Sequence, residues 1–457
     1  MTSTRIFFLA GSFLFIVHIS SAQPAFISYD SLAVYVSRAA LQENTAYSIL
    51  TDLCTHIGAR IAGSAQAAAA VKWARMTMND LGFQNVRLQP VQVPHWIRGT
   101  ESGTYSVNGK KEVALHLCAL GGSVGTSPEG VSGDIVEVDS WEALKVFGDK
   151  GKGKIILFNR PMDPGLVNPG EAYGRAVDQR TRGAVEAERA GAIAALVRSM
   201  TTRHDDIPHT GQMHYETTPK IPAAAVSTND ADTISALLAR GKNVRVTLKL
   251  GCAMLPDVQS DNVLGEIRGS EKPEELIVIG AHLDSWDKGQ GAHDDGAGCA
   301  HVLEALHLIK ELGLIPKRTI RVVLFMNEEN GVNGGLVYAA EHIPNEKHIA
   351  AIETDAGGFS PRGFSVGDSS ALLKLQKYSQ YFKPIGAERF VYGHGGADIS
   401  PLGYNGVITI GLQVDGQKYF DYHHSDSDIL ENVNERELAL GSSAVAILAY
   451  LIAQEGL

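Results

Sequence analysis

The sequence predicts an α/β protein whose main domain is a doubly wound mixed sheet. In the C-terminal half, apolar β-branched runs alternate with helical segments, a pattern typical of parallel strands joined by helices. Residues 276–280 are continuously apolar, as expected of a parallel strand that is buried on both faces. The chain has 457 residues, 44% hydrophobic and 20% charged. This composition supports several packed cores and excludes extensive disorder.

The N-terminus has the features of a signal peptide. Arg5 precedes an apolar stretch at 6–19, and small residues follow at 20–22. The stretch is shorter than the roughly 20 residues that span a bilayer, so we expect residues 1–22 to be cleaved and the chain to be secreted or periplasmic. The absence of an Asn-x-Ser/Thr site favours a bacterial periplasm or secretion over a glycosylating pathway.

The charge balance narrows the range of partners. Lysine and arginine total 40, aspartate and glutamate total 51, and the formal net charge is −11. Without a basic run, this charge argues against nucleic acid or an anionic membrane as the main partner. The cysteines are too few for a disulfide scaffold and form no Cys-x-x-Cys motif; they are Cys54, Cys118, Cys252 and Cys299.

Residues 23–96 are predicted to begin the main domain. Helical character extends over 31–53 and over 65–81, which stops at a glycine. Residues 85–93 alternate like a strand, and we expect Pro94 to interrupt it.

Residues 97–253 have a different pattern of apolar runs and turns, which predicts an inserted domain. Short β-branched runs behind glycine-rich turns predict strands with one helix between them. The predicted strands lie at 134–138, 154–158, 192–197 and 243–250, and the helix at 183–190.

Residues 254–457 are predicted to complete the main domain as strand–helix repeats. The predicted strands lie at 276–280, 318–326, 348–354 and 406–412. The predicted helices lie at 296–312, 336–342 and 371–382, and an amphipathic helix at 435–454 closes the chain.

Side chains that bind metals follow several of these predicted strands, where open α/β sheets bind their ligands. They are His282, Asp294, Glu328, Glu329, Asp355 and His424. Their segments carry only one basic residue, Lys288, so converging carboxylates need a cation to neutralise them. Apart from Glu328, the set contains two histidines and three carboxylates, which suit zinc. We therefore predict two Zn²⁺ ions per chain.

We expect Asp294 to lie between the other ligands in space, which suggests how they share the two ions. Asp294 is predicted to bridge both metals through its two carboxylate oxygens. His282 and Asp355 would complete one metal, and Glu329 and His424 the other. This arrangement leaves about one net positive charge, which favours a bound hydroxide.

Neighbouring residues are predicted to support the ions and the reaction. Glu328 cannot share the metal-facing geometry of the next glutamate, and we predict that it is the general base for the metal-bridging water. Asp284 is expected to orient His282 or the adjacent backbone, and Asp428 to orient His424.

Trp286 is predicted either to line the substrate pocket or to cap the core. His394, in a glycine-rich loop, is predicted to contact substrate. Cys299 is expected to be buried as a small apolar residue.

Two further patterns are interpreted as structural. Gly289-Gln290-Gly291 lacks the third glycine and the downstream acid of a nucleotide-binding loop. A second group, His204, Asp205, Asp206 and His209, imitates a metal site but lies in the inserted region, where we predict a solvated loop.

These segments resemble the co-catalytic di-zinc exopeptidases, a family that includes bacterial leucyl aminopeptidases and glutamate carboxypeptidases. The resemblance covers nearly the whole mature chain. It rests on Pro94-His95-Trp96, residues 183–187, Pro208-His209-Thr210-Gly211, and the stretch from His282-Leu283-Asp284-Ser285-Trp286-Asp287 to Asp294-Asp295-Gly296.

The resemblance implies the same five zinc ligands and Glu328 as the acid/base. The family's spacing to a downstream aspartate, here Asp428, implies His424 rather than His423 as the ligand. The resemblance also implies that region 97–253 is a protease-associated (PA) domain, that the chain forms homodimers, and that a cis peptide bond follows Asp294.

We therefore expect an exported di-zinc exopeptidase that hydrolyses short peptides, chiefly dipeptides, in the manner of a carboxypeptidase or dipeptidase. The alternatives are an aminopeptidase of the same family, a zinc-dependent glutaminyl cyclase, and a non-catalytic ectodomain on this scaffold. The cyclase would hold one zinc ion rather than two. The ectodomain is disfavoured because all five ligand positions and Glu328 are present.

Overall fold

The computed structural model describes residues 28–216 and 219–457, which form two eight-stranded sheets. The strands are β1 (Gln84–Ile97), β2 (Glu101–Val107), β3 (Val113–Ala114), β4 (Leu117–Ala119), β5 (Val131–Val138), β6 (Ile155–Phe158), β7 (Ala194–Arg198), β8 (Ala223–Val226), β9 (Val244–Leu250), β10 (Ala253–Ile267), β11 (Lys272–His282), β12 (Arg318–Phe325), β13 (Lys347–Glu353), β14 (Pro361–Val366), β15 (Arg389–Tyr392) and β16 (Ile408–Val414). The helices are α1 (Tyr29–Glu43), α2 (Thr45–His56), α3 (Ala65–Asp80), α4 (Trp141–Phe147), α5 (Pro169–Gly174), α6 (Asp178–Arg189), α7 (Thr228–Ala239), α8 (Ala297–Glu311), α9 (Asn333–Ala340), α10 (Ser369–Leu375), α11 (Ser379–Phe382), α12 (Ser400–Tyr404), α13 (Tyr419–Tyr422) and α14 (Glu435–Glu455).

The first sheet is mixed, with strand order β1-β10-β12-β11-β13-β16-β14-β15. Its centre, β12-β11-β13-β16, is parallel. The pairs β1–β10, β10–β12 and β14–β16 are antiparallel, and β15 pairs parallel with β14. The chain passes from β11 to β12 on one side and then to β13 on the other. The carboxyl end of β11 is therefore a switch point, where sheets of this type form their binding crevice. The predicted mixed α/β fold is confirmed.

Helices cover both faces of the first sheet. On one face, α8 and α14 pack with the N-terminal helices over a large apolar core. On the other face, Tyr338 of α9, Leu402 of α12 and Ile399, which directly precedes α12, contribute to a smaller core.

The closing helix α14 differs from its prediction. It is not amphipathic, because apolar side chains surround nearly its whole circumference and most of them are buried. Its length and hydropathy would suffice for a membrane span, but 78% of its most apolar 18-residue stretch is buried inside the protein. The physical reason is its position: α14 packs against α8 and α1 and across the sheet, so it is a core helix.

Two predicted elements near the N-terminus also change. The single helix expected at 31–53 is split into α1 and α2, because Asn44 has a left-handed backbone with φ 51°. The strand expected to stop at Pro94 instead continues to Ile97. A register shift between Val93 and His95 accommodates the proline.

The second sheet is built from the chain between β1 and β10. Ile97 at the end of β1 pairs with Ala253 at the start of β10, so this segment leaves and re-enters the first sheet at neighbouring positions. The expectation of a single helix here is wrong, because α4, α5 and α7 form as well as α6. Each begins behind a capping side chain, namely Ser140, Asn168 or Ser227.

The predicted signal peptide, residues 1–22, lies outside the described residues. All four cysteines are buried and free, in agreement with the small apolar role expected of Cys299.

Candidate metal centre

The predicted metal ligands lie at the carboxyl ends of the parallel strands. His282 ends β11, Asp294 lies in a π-helical turn just before α8, and Asp355 follows β13 by two residues. Glu329 lies in the loop after β12, and His424 follows α13. The fold thus brings residues that are far apart in sequence to one edge of the sheet.

One group of these side chains surrounds the imidazole of His282. Its Nε2 lies 3.1 Å from Oδ1 of Asp294 and 3.6 Å from Oδ1 of Asp355. The three side chains have the spacing that would hold a metal ion.

A second group surrounds the imidazole of His424. Its Nε2 lies 3.3 Å from Oδ2 of Asp294 and 3.1 Å from Oε2 of Glu329. Asp294 therefore directs one oxygen to each group. His423 stacks on His424 with ring centroids 3.4 Å apart, and its own Nε2 is 3.8 Å from Asp294.

The hydrogen bonding of His282 shows why the centre suits a cation. Its Nδ1 donates to the backbone carbonyl of Asp284 at 3.0 Å, so in the neutral ring Nε2 carries a lone pair. That lone pair faces the carboxylate oxygens of Asp294 and Asp355. A proton or a metal ion must lie between these acceptors, and imidazole nitrogens with carboxylate oxygens are the donors that zinc prefers.

The pKa shifts reflect the same crowding of charge. Burial alone would lower the pKa of His282 and of His424, but the facing carboxylates outweigh it. They raise the pKa of His282 well above its usual value and that of His424 to about 9. Burial opposes ionisation of Asp294, yet its two histidine partners hold its pKa well below the usual range. Burial and the charge of Asp294 raise the pKa of Glu329 to about 7.

Glu328 is partly exposed beside this cluster. Burial of its carboxyl, together with the charges of Asp355 and Glu329, raises its pKa well above the usual value, against the opposing effect of His282. The preceding residue, Asn327, has a left-handed backbone with φ 77°, which turns the chain sharply after β12.

Comparison with known proteins identifies the family. Residues 262–449 match peptidase family M28. Carboxypeptidase Q from Bos taurus is 36% identical over 90% of this chain and 86% of its own length. The chain belongs to peptidase family M28.

Solved M28 structures agree. A peptidase M28 precursor from Shewanella amazonensis SB2B is 37% identical and superposes with a TM-score of 0.90 over 94% of this chain and 97% of that chain. A zinc aminopeptidase from Bacillus subtilis, 21% identical with a TM-score of 0.66 over 90% and 96% of the two chains, shares the fold. The predicted assignment as a zinc metallo-exopeptidase is confirmed.

The two predicted supporting aspartates of this M28 peptidase act mainly on backbone groups. Oδ1 of Asp284 accepts hydrogen bonds from the N–H groups of Asn327 at 2.7 Å and Glu328 at 3.1 Å. The carboxylate of Asp284 therefore fixes the turn that carries Glu328, while the backbone carbonyl of Asp284 orients the imidazole of His282.

The prediction that Asp428 orients His424 is wrong: among the described residues, its carboxylate binds neither the imidazole nor the backbone of His424. Its carboxylate instead accepts from the N–H groups of His293 at 2.6 Å and Asp294 at 3.2 Å. The reason is that Asp428 packs beneath the turn before α8. Nδ1 of His424 has no hydrogen-bond partner among the described residues.

Two contributors to the M28 centre were not singled out by the sequence. Asp295 accepts from the N–H groups of His282 at 3.1 Å and Gly298 at 3.0 Å, which ties β11 to α8. The peptide bond between Asp294 and Asp295 is cis, as the family resemblance implied. The aspartate pair itself was the only signal for Asp295.

The other contributor is Arg60, which is fully buried. Its guanidinium donates to four backbone carbonyls rather than to a carboxylate: Leu283 at 2.6 Å, Gln290 at 2.8 Å, Gly291 at 3.0 Å and Gly58 at 3.2 Å. It thereby holds the loop between His282 and Asp294. Nothing in the local sequence distinguishes Arg60 from a surface arginine.

Trp286 is buried and links the metal centre to the second sheet. Its backbone N–H donates to Oε1 of Glu329 at 3.1 Å, and its ring lies 5.7 Å from that of His424 and 6.3 Å from that of Trp96. Its side chain belongs to the apolar core of the second sheet. Of the two roles considered, the contacts favour packing in the core.

His394 is exposed and lines a pocket of about 500 Å³ with Tyr392, Tyr404 and Thr409. None of the clustered ligands lines this pocket. Its assignment as a substrate contact stays a prediction.

Two residues of the inserted region, His209 and Arg180, lie near His423 beside the M28 centre, the second through the ring of Tyr173. His209 is only 1% exposed, so the prediction of a solvated loop is wrong for this residue, although His204 is exposed. Arg180 on α6 is 6% exposed and packs over the ring of Tyr173. Sequence reasoning missed Arg180 because it lies in a highly charged helix.

Proposed function

We propose that the chain is a di-zinc exopeptidase that hydrolyses dipeptides and other short peptides and recognises their carboxyl terminus. The observation that carries the two-metal proposal is the sharing of Asp294 between two ligand groups, with His282 on one side at 3.1 Å and His424 on the other at 3.3 Å. A single-metal site would not need both oxygens of one carboxylate to face separate histidines.

In this proposal His282 and Asp355 would hold one ion, Glu329 and His424 would hold the other, and Asp294 would contribute to both. When bound, zinc polarises a scissile carbonyl and lowers the pKa of a bound water towards 7. The chain supplies the fixed geometry: Arg60, Asp295 and Asp428 hold the ligand-bearing loops through their backbone groups.

Glu328 is proposed to move the proton. It lies beside the cluster, and Asp284 holds its backbone in place. Its carboxyl accepts a proton from the attacking water and donates it to the leaving amine.

Replacing Glu328 with glutamine tests this role. We expect Glu328→Gln to retain both metal ions, since Glu328 is not a ligand, and to lose at least about a hundredfold in kcat on a dipeptide, as is typical of general-base catalysis. Glu388→Gln is a matched control because Glu388 is exposed. Metal content and steady-state kinetics are measured on the same preparations, and unchanged turnover in Glu328→Gln would exclude this role.

Metal counting separates the proposed peptidase from the glutaminyl cyclase. Two zinc ions per chain, with hydrolysis of dipeptides that a chelator abolishes, support the peptidase. One zinc ion per chain, with release of ammonia from an N-terminal glutamine, would identify the cyclase.

Arg180 supports recognition of a carboxylate rather than an amine. Its Nε and Nη1 are buried and have no hydrogen-bond partner among the described residues. It lies 5.5 Å from the ring centroid of Tyr173, whose ring is 5.4 Å from that of His423 beside the metal centre. Buried N–H donors without an acceptor are costly, and the fork of donors on a guanidinium fits a carboxylate.

Substrate pairs test this recognition. We expect Arg180→Ala to raise KM for a free dipeptide about 10–100-fold, the loss expected for charged hydrogen bonds, while hydrolysis of the same dipeptide amide stays slow and unchanged. Arg182→Ala, on the exposed side of the same helix, is the control. An enzyme that cleaves amides and free dipeptides equally well, with or without Arg180, would instead be an aminopeptidase.

Three wider features remain part of the proposal. Residues 97–253 are proposed to be a PA domain. This is supported by their separate second sheet, whose loop at 208–211 contacts the segment that carries His424. Homodimerisation follows from the family resemblance and is tested by sedimentation of the zinc-loaded chain. Export through residues 1–22 is tested by sequencing the N-terminus of the protein recovered from periplasm and medium.

A further inference from the structure

The loop at 208–211 reaches from the second sheet to the segment that carries His424. Nδ1 of His209 lies 2.7 Å from the backbone carbonyl of His423. The N–H of Thr210 donates to the backbone carbonyl of His424 at 2.9 Å. Two consecutive residues of the inserted region thus bind two consecutive carbonyls beside the metal centre.

The segment that they bind has an unusual backbone. His424 has φ 61°, in the left-handed region that residues other than glycine rarely adopt. Such a conformation persists only where the surrounding structure holds it. The carbonyls of His423 and His424 flank this strained position, so the hydrogen bonds from the loop fix the direction of the His424 imidazole.

The loop is itself anchored in the second sheet. The N–H of His209 donates to Oγ of Ser199 at 2.9 Å, and Ser199 donates to the carbonyl of Val226 at 2.7 Å. Oγ1 of Thr210 donates to the carbonyl of Ala119 at 2.9 Å. These partners lie at or next to the ends of β7, β8 and β4, so the loop is fixed to the frame of that sheet.

The chemistry of His209 fits a donor and not a metal ligand. A carbonyl oxygen only accepts, so Nδ1 carries the proton. Nε2 has no hydrogen-bond partner among the described residues, and His209 belongs to neither cluster of metal-spaced side chains.

We propose that His209 is a positioning residue for the zinc ligand His424, and that the inserted region thereby holds one half of the metal centre. The proposal rests on the proposed di-zinc function. The zinc ion at Glu329 and His424 depends on the loop at 208–211, while the ion at His282 and Asp355 does not.

Three variants of the full chain test this role. In His209→Asn the amide nitrogen occupies the place of Nδ1 and keeps the donor. In His209→Gln the volume is closer to histidine, but the donor is displaced towards Nε2. His204→Ala, at an exposed position in the same region, is the control.

The main readout is zinc retention against a graded chelator. We expect His209→Gln to bind one of its two zinc ions about 10–100-fold more weakly, the usual loss when a group that orients a ligand is removed. His209→Asn and His204→Ala should stay within about threefold of the parent chain. If His209→Gln retains both ions as tightly as the parent, or if His209→Asn is as weak as His209→Gln, the proposal is overturned.

Amide hydrogen exchange of the metal-free chain gives a second readout. We expect faster exchange over residues 423–425 in His209→Gln and not in His209→Asn, and equal rates in the two variants would overturn the proposal. A parent chain that binds fewer than two zinc ions but shows this exchange pattern would refute the di-zinc function and leave the positioning by His209 intact.

Discussion

The buried arginine beneath the metal-binding loop allows a prediction of stability to be worked out in detail. Arg60→Met keeps an unbranched side chain of similar length and removes every donor. The four carbonyls that Arg60 binds then lose the guanidinium as a donor, although that of Gly291 still accepts from the N–H of Gly296 at 3.0 Å. The bonds to Leu283 and Gly291 are buried, whereas those to Gly58 and Gln290 are partly accessible.

The burial of these acceptors sets the size of the effect. The buried carbonyl of Gly291 stays paired with the N–H of Gly296. The buried carbonyl of Leu283 is left without a partner, which costs about 1–3 kcal/mol. The two accessible carbonyls bind water instead and add little. Because the affected loop connects His282 to Asp294, we also expect weaker zinc binding in the variant.

Urea unfolding of zinc-loaded and chelator-treated protein, followed by tryptophan fluorescence, measures this loss. Arg38→Met is the matched control because Arg38 is an exposed arginine on α1, and it should change the free energy of unfolding by less than about 0.5 kcal/mol. A loss below about 1 kcal/mol in Arg60→Met would refute the argument that Arg60 satisfies buried carbonyls.

Three further outcomes follow from the site. Zinc binding at pH 7 should release at least one proton, because the pKa of His424 is raised to about 9 in the metal-free chain and its ring must be neutral to bind. Zinc affinity should therefore rise with pH. Calorimetry in buffers of different ionisation enthalpy measures the release, and a result of no released proton would contradict this prediction. Asp294→Ala should lose chelator-resistant zinc, and full retention of two ions would exclude the bridge. Gly298→Ala should lower the free energy of unfolding by more than about 1–3 kcal/mol, because the added Cβ would clash with the backbone oxygen of Thr354. The control Gly174→Ala, which adds a Cβ in open space on α5, should be tolerated.

Local patterns in the sequence were enough to predict the fold class and the neighbourhood of the metal centre. Parallel strands are recognisable as apolar runs, and the sheet geometry requires their carboxyl ends to meet. For this reason His282, Glu329 and Asp355 could be placed together from their positions after three strands. The cluster of uncompensated carboxylates then indicated a cation.

Backbone contacts across long sequence separations could not be predicted in the same way. Asp428 was paired with His424, its neighbour in sequence, but it binds the N–H groups of His293 and Asp294 on another segment. The donor or acceptor on the far side of such a bond is a backbone group, which every residue carries, so the sequence holds no signal for it.

The sequence by itself determined that this protein has a parallel α/β core with metal-binding side chains at its strand ends, because strand periodicity and side-chain chemistry are local properties. Only the tertiary structure decided which groups support them. Arg60 and His209 resemble surface residues in the sequence and become buried donors only when distant segments pack together. Their roles depend on which carbonyls the folded chain brings within hydrogen-bonding distance.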